Sequence, residues 1–240
     1  MSSADWQQRV VDRSLRSAQQ RSIDRGAALI RAAAALLERS NGDGFTVQQV
    51  ADEAGQSLRT LYQHFESKDD LLLAVFEESM RAYAELIRFA IAGVDDPLDR
   101  LAGALVAAGR LPERSSSGVK RSLTRLRLQL AGAEPELIGR AQAPVVALVD
   151  ELLDDAVAAG VVPAAPREGA TFLLLTILVS AITSATLGNE WGTEPPDVAT
   201  LVAFALRGLG AESTPKRIAR VEARLRFPDG ELRLTNQEAS

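Results

Sequence analysis

Apolar side chains recur at spacings of three and four along nearly the whole chain up to Gly210, the periodicity of helices that bury one face. Ala28, Leu29, Ala32 and Leu36 form one such stripe, and Leu72, Val75, Phe76, Met80, Tyr83 and Ile87 another. Breakers interrupt the pattern at Gly42-Asp43-Gly44, Gly55, Asp95-Asp96-Pro97, Pro112, Ser115 to Gly118, Gly132 to Pro135, Pro163 to Pro166 and Pro195-Pro196. About nine helical segments of bundle-like length lie between these stops. The body is therefore expected to be all-α. Pro144 should kink or break the segment 135–160. Beyond Gly210 the spacing changes to alternation through Val221, Ala223, Leu225 and Phe227, then Pro228-Asp229-Gly230, Leu232 and Leu234. That pattern reads either as two short strands around a turn or as a solvated tail.

From Gly169 to Asn189 no charge occurs for 21 residues, a length that can cross a bilayer. Thr171, Thr176, Ser180, Thr183, Ser184 and Thr186 interrupt the stretch, and Glu168 and Glu190 flank it in place of Lys, Arg or aromatic anchors. A helix apolar all round also forms when it is buried on two sides, against its own domain and a second subunit. The second reading is the one expected here, with no membrane partner.

Composition removes many chemistries. The 240 residues include no Cys and one His, His64, so disulfides, thiol nucleophiles, Cys-ligated metals and multi-histidine sites are excluded. No phosphate loop, nucleophile elbow or zinc-protease motif is present. The acidic pairs Asp69-Asp70, Asp95-Asp96 and Asp154-Asp155 lack the spaced ligands of a calcium loop and are read as helix-start charges or solvated faces. No metal, no cofactor and no enzymatic activity are expected. The scattered charges of residues 1–21, without an apolar core segment, do not resemble a secretory signal, which makes a cytoplasmic protein the simplest expectation. A net charge of −5, taken alone, argues against nucleic acid, whose partners usually carry a basic footprint.

The most informative segment is 46–69, TVQQVADEAGQSLRTLYQHFESKD. Thr46 can cap a short helix with Val50, Ala51 and Ala54 facing inward, and Gly55 stands where a tight turn must follow. Ser57 can cap a second short helix, buried through Leu61 and Phe65. Two short helices joined by a Gly-containing turn make a helix-turn-helix. The second helix carries a DNA-reading inventory. Arg59 can pair with guanine, Gln63 with adenine, and Thr60 and Leu58 can meet a thymine methyl. The helix start at Ser57 suits a phosphate, and Tyr62, His64 and Lys68 suit the backbone. Such hairpins also occur where no DNA is bound.

The run Gly55-Gln-Ser-Leu-Arg-Thr-Leu-Tyr-Gln-His-Phe-Glu-Ser-Lys68 follows an Ala-rich helix from about Asp24 to Ser40, a turn at Gly42 to Phe45, and Thr46-Val47. Over about residues 25–80 this resembles the N-terminal domain of TetR-family transcriptional regulators. The resemblance implies an all-α homodimer with a three-helix helix-turn-helix head and a larger helical-bundle body for ligand binding and dimerisation. It places Thr46, Ser57, Tyr62, His64 and Lys68 on phosphate-contacting positions. Gln48, Leu58, Arg59, Thr60 and Gln63 fall on positions that approach bases. Gln56 departs from the family, which usually has an apolar residue after the turn glycine. The expected divisions are an Arg-containing arm (1–24), the DNA-binding domain (25–70), an effector and dimerisation domain (71–211) and a tail (212–240).

The body is resembled only in pattern. A helix from Lys68 to about Ile91 would connect head and body. Inward residues expected to enclose an apolar or amphipathic effector are Leu86, Phe89, Leu105, Leu123, Leu126, Leu130, Val145, Leu148, Leu152, Phe172 and Leu175, although most apolar helix faces are simply core and each is readable as that. Helices at about 166–188 and 197–209 would pair two subunits through Ala170, Leu178, Ala181, Ser184, Ala185 and Phe204. Expected partners are thus double-stranded operator DNA, a second copy of the chain and a small-molecule effector. The functional expectation is a repressor released from a pseudo-palindromic operator. The alternative is an all-α small-molecule binding protein or enzyme with an inert helix-turn-helix. Arg110, Arg114, Lys120, Arg121, Arg125 and Arg127 form a basic run that reads as a solvated face or as a second anion contact, to DNA or to an acidic effector.

Charge is distributed unevenly. Residues 1–31 hold Arg9, Arg13, Arg16, Arg21, Arg25 and Arg31 against Asp5, Asp12 and Asp24, whereas residues 32–81 hold four basic groups against nine acidic ones. The acidic total does not exclude DNA. It implies that a few placed groups and helix N-termini hold the duplex, with the arm following the backbone or minor groove.

Overall fold

The computed structural model describes residues 4–40, 44–114, 117–133, 135–164, 169–188, 192–194 and 196–227. Among the described residues there are ten helices: α1 (Ala4–Arg39), α2 (Val47–Glu53), α3 (Leu58–His64), α4 (Lys68–Ile91), α5 (Pro97–Arg114), α6 (Ser117–Ala133), α7 (Pro135–Ala158), α8 (Ala170–Leu187), α9 (Val198–Gly208) and α10 (Pro215–Glu222). No strand occurs among the described residues. The all-α expectation holds, with one more helix than the breakers predicted.

The differences from the sequence reading have local causes. Helix α1 begins at Ala4 rather than near Asp24, because nothing between Ala4 and Asp24 breaks a helix: there is no Gly or Pro, and Gln20 reaches Asp24 one turn on at 2.9 Å. At 36 residues and about 1.5 Å per residue it is roughly 54 Å long, with side chains 13–25 exposed. Pro112 and Pro144 both lie inside helices, α5 and α7. Each removes one backbone donor without ending its helix, since packing on neighbouring helices outweighs the lost hydrogen bond. After Gly210 the chain forms α10, capped by Thr214, whose hydroxyl accepts from the Arg217 amide at 3.2 Å. Ile218 and Val221 are its buried face. The alternation read at 221–227 was a helix end followed by an irregular segment, and the remainder of the proposed hairpin, 228–240, lies outside the described residues.

Two apolar cores organise the molecule. The first joins α1 to α4 through Leu29, Ala33, Val50, Leu61, Leu71, Val75 and Phe76, and extends to Leu123, Leu126 and Leu130 of α6 and Ile138 of α7. The second lies among α4, α5, α7, α8, α9 and α10, around Leu101, Leu105, Leu148, Leu152, Leu206 and Ile218. Helix α4 takes part in both. The hydroxyl of buried Ser122 donates to the Leu37 carbonyl at 3.0 Å, fastening α6 to the end of α1.

Ion pairs tie the body's surface. Arg217 bridges Asp96 and Asp99 at 3.0 and 2.7 Å, and Arg110 is held by Glu222 and Glu113 at 2.7 and 2.8 Å. Of the acidic pairs, Asp69-Asp70 opens α4 and Asp96 caps the start of α5, accepting from the Asp99 amide at 2.8 Å. Asp154-Asp155 instead falls in the last turns of α7, where Asp155 pairs with Arg100 at 3.4 Å.

Candidate nucleic-acid interface and body cavity

The head is built by its caps. Thr46 and Gln49 form a reciprocal capping box: the Gln49 amide donates to the Thr46 hydroxyl at 3.2 Å, and the Thr46 amide donates to Gln49 Oε1 at 2.8 Å. This satisfies two donors that a helix start leaves open. Gly55 has φ +63° with open space where a Cβ would stand, so its role is conformational. Ser57 then caps α3, accepting from the Thr60 amide at 3.1 Å. Ser67 caps α4, accepting from the Asp70 amide at 3.1 Å. Three caps within 22 positions fix the entry angles of three helices, and Leu61 locks α3 into the head core with no exposure.

The proposed DNA-contacting residues separate by face. Thr46, Gln48, Ser57, Arg59, Tyr62, Gln63 and Lys68 are exposed, and Thr60, Leu58 and His64 half-buried. Tyr62 presents 54% of its surface. Among the described residues Arg59 has no ion pair and is free to reach outward. Lys68 Nζ sits 5.1 Å from the Phe45 ring centroid, a cation–π contact that holds it at the head's edge. Gln48 donates to Asp52 at 2.7 Å, and the Thr60 and Ser57 hydroxyls lie 2.9 Å apart. Leu58 packs against the head core, so it is more a wedge under α3 than a free reader. His64 lies over α1, where a Cβ on Gly26 would come within 3.6 Å of its Nδ1.

Gln56 answers for its own oddity. Its Nε2 donates to the Arg25 carbonyl at 3.0 Å, stitching the turn to α1. Its Oε1 is buried and has no hydrogen-bond partner among the described residues. Arg39 and Glu53 add a two-pronged exposed ion pair, 3.1 and 2.7 Å, between α1 and α2.

In the body, a cavity of about 130 Å³ lies between α4, α5, α6, α7 and α8. Helix α4 lines it with Phe76, Met80, Tyr83 and Ile87, α6 with Lys120, Leu123, Thr124 and Arg127, and α8 with Leu175, Leu178, Val179, Ile182 and Thr183. Of the effector residues expected from sequence, Leu123, Val145 and Leu175 face it. Leu105, Leu148 and Leu152 lie in the body core instead, and Leu126 and Leu130 in the head-side core. Leu86 packs on the body core from its edge. Phe89 and Phe172 are 53% and 71% exposed. Apolarity alone does not distinguish a cavity wall from a core. The signal that was available is register: Lys120, Leu123, Thr124 and Arg127 stand at i, i+3, i+4 and i+7, one face of α6. Two cations on that face are half-buried, so the basic run is not uniformly solvated. Pro112 lines the cavity and Pro144 lies between its lining residues Gln142 and Val145.

Among the described residues, α8 is the one helix long and apolar enough to cross a membrane, yet little of it, 22%, is covered within the chain. Phe172, Leu173 and Leu187 on this helix, and Phe204 of α9, are exposed apolar side chains. Ala170 and Leu178, expected at a subunit interface, are 2% and 4% exposed within their own chain and belong to its core. Ala181, Ser184 and Ala185 remain at least partly open. No group of three or more His, Asp or Glu capable of holding a metal occurs among the described residues.

A capped helix-turn-helix with an exposed polar second helix, set on an all-α body that encloses a cavity, defines the class of DNA-binding regulators with a ligand-binding domain. Residues 29–75 match the family model of bacterial regulatory proteins of the tetR family. The chain thus carries the tetR-family DNA-binding domain and is a DNA-binding transcriptional regulator. No curated protein matches the chain in sequence. In fold it is similar to RolR in complex with resorcinol, with TM-score 0.66 and 19% identity over 88% of this chain and 98% of that one. It is also similar to FadR from Bacillus subtilis in complex with stearoyl-CoA, with TM-score 0.58 and 16% identity over 83% and 99% of the two chains. For Salmonella enterica GusR the values are 0.58, 21%, 78% and 96%.

Proposed function

We propose that this regulator is a homodimeric repressor that leaves a pseudo-palindromic operator when a small apolar or amphipathic effector enters the cavity between α4 and α8. The observation that carries the reading is the dual membership of Phe76 and Leu123, which line the cavity and belong to the head-side core. A ligand that displaces either side chain presses on the packing that positions α3. Operator affinity falls because the effector favours a body arrangement in which the two recognition helices are wrongly spaced for adjacent major grooves. Dimerisation through the open faces of α8 and α9 would cover Phe172, Leu173 and Phe204, and half-sites would then lie about 34–36 Å apart. Residues Thr46, Ser57, Tyr62, His64 and Lys68 hold phosphates, and Arg59, Thr60, Gln63, Gln48 and the edge of Leu58 approach bases. The Arg-rich first part of α1 lies along the DNA as a helical arm. The protein acts in the cytoplasm.

Selection of bound sequences from random duplex DNA tests this directly. A palindrome with half-sites one helical turn apart is expected. A purified, folded dimer that recovers no sequence preference at moderate salt would refute it, and would favour a ligand-binding protein with an inert head.

A further inference from the structure

We infer that the cavity takes an organic anion, with an apolar body against Phe76, Tyr83 and Leu178 and a carboxylate or similar acidic head on Arg127. This rests on the effector-pocket reading above and specifies its chemistry.

Charge pairing sets Arg127 apart from the body's half-buried arginines that meet acids: Arg110 between Glu222 and Glu113, and Arg217 between Asp96 and Asp99. Arg127 is half-buried, and among the described residues no carboxylate pairs with it. Among the described residues its one hydrogen bond runs from Nη2 to the Thr183 hydroxyl at 3.3 Å, and that hydroxyl in turn donates to the Val179 carbonyl at 2.8 Å. A guanidinium has five donor hydrogens, so most of its fork is left for something else. Burial lowers the pKa of this group from its ordinary value, which is the mark of a cation that has lost water without gaining an anion.

Position gives the head group its place. Arg127, Gln142 and Thr183 line both the inner cavity and an outer groove of about 800 Å³ that carries Thr176, Ser180 and Ser184. They therefore form the neck between an apolar chamber and a hydroxyl-rich mouth. The carboxylate on that outer wall, Asp150, accepts from Thr171 at 2.5 Å. Lys120 stands on the same face of α6, two turns away, and also lines the cavity, adding positive potential to it. A chamber of about 130 Å³ is close to the size that holds one benzene ring. The occupant class is a monocyclic arenecarboxylate or a short-chain carboxylate.

Calorimetry on the full chain distinguishes the outcomes, using benzoate against benzyl alcohol and benzamide, and hexanoate against hexanol. The acids should bind at least about tenfold tighter than their neutral counterparts. Arg127→Met should abolish that preference while keeping the alcohols within about threefold, and Arg127→Lys should restore part of it. Arg127→Met should melt no lower than the unchanged chain, because the charge it removes has no buried partner to strand. Should it fail to fold, Arg127→Gln replaces it. Equal or tighter binding of the neutral compounds, or a preference that survives loss of the guanidinium, overturns the anion inference alone. If neither acids nor neutral compounds bind, the effector reading of the cavity falls with it. A band-shift assay on the selected palindrome reports separately whether DNA binding stands.

Discussion

Replacing Arg59 by Ala tests whether α3 reads sequence. The side chain is exposed in the first turn of α3, with no ion pair among the described residues. Its loss should therefore leave stability within about 0.5 kcal/mol, since Ala is at least as good a helix former. A bidentate arginine to guanine is worth about 1–3 kcal/mol of discrimination. A dimer presents two such helices, far enough apart for their contributions to add, so the cost on the intact palindrome is about 2–6 kcal/mol. That corresponds to a loss of roughly 30-fold to 20,000-fold in affinity for the selected operator. Fluorescence anisotropy should be run on the operator, on a variant with the contacted guanine pair changed in both half-sites, and on random duplex. Arg59→Ala should bind the first two about equally and random duplex nearly as the unchanged chain does. The thermal midpoint, measured alongside, should not move. A loss that is the same on all three duplexes would show a phosphate contact instead, and an unchanged operator affinity would remove Arg59 from the interface.

Lys68→Ala should behave in the opposite way, weakening every duplex alike and lowering the salt slope by about one per half-site, as measured by anisotropy across salt concentrations; an unchanged slope would confine Lys68 to its contact with Phe45. Gln56→Leu removes a buried, unpartnered Oε1 along with the Arg25 hydrogen bond. Relief of about 1–3 kcal/mol against loss of about 0.5–1.5 kcal/mol should leave the head as stable or more so by thermal denaturation, and a clear fall in midpoint would mean that the stitch to α1 dominates. Asp197 caps α9, accepting from the Thr200 amide and hydroxyl at 3.0 and 2.7 Å, and these bonds hold its pKa below the usual carboxylate value. Asp197→Ala should cost about 1 kcal/mol at neutral pH. Because the native pKa is the lower one, that contribution is full above the ordinary carboxylate value and is lost as pH falls through the depressed one; a mutant deficit that stays constant from pH 7 down to pH 2 would contradict this.

The head was legible because its signals are local. Thr46 to Gln49, Ser57 to Thr60 and Ser67 to Asp70 are each capped within three residues, and Gly55 announces its own turn, so a linear reading can find them. The body was legible as helices but not as a site. Leu123 and Leu126 are three residues apart on one helix, yet only Leu123 meets the cavity, and only the arrangement of α4, α7 and α8 around α6 decides that. Prolines misled for the same reason: whether Pro112 and Pro144 end a helix depends on packing that the sequence does not print. The uncharged stretch at α8 showed that something apolar must cover it, but Ala170 and Leu178 turned out to face inward and Phe172 outward, a rotation of the helix that a nearly uniform apolar composition cannot specify.

Helix α4 gives the cavity its means of acting on the head. Leu71 and Leu72 at its start pack with α3's Leu61 in the head-side core, Phe76 is shared, and Tyr83 and Ile87 further on face the cavity or the body core. From Leu71 to Ile87 is about 24 Å along one rigid element. A close-packed core tolerates little change in volume, so a ligand filling the chamber must move a wall rather than compress it. On α6 the wall is backed by Ser122, tied to Leu37 of α1; on α4 it continues into the head-side core that also holds Leu61 of α3. Either route ends at the orientation of α3, and they make different demands. If α6 carries the signal, Ser122→Ala should weaken effector-induced release while leaving operator affinity intact. If α4 carries it, that substitution should change neither, and trimming Phe76 to Leu should uncouple ligand from DNA while both still bind.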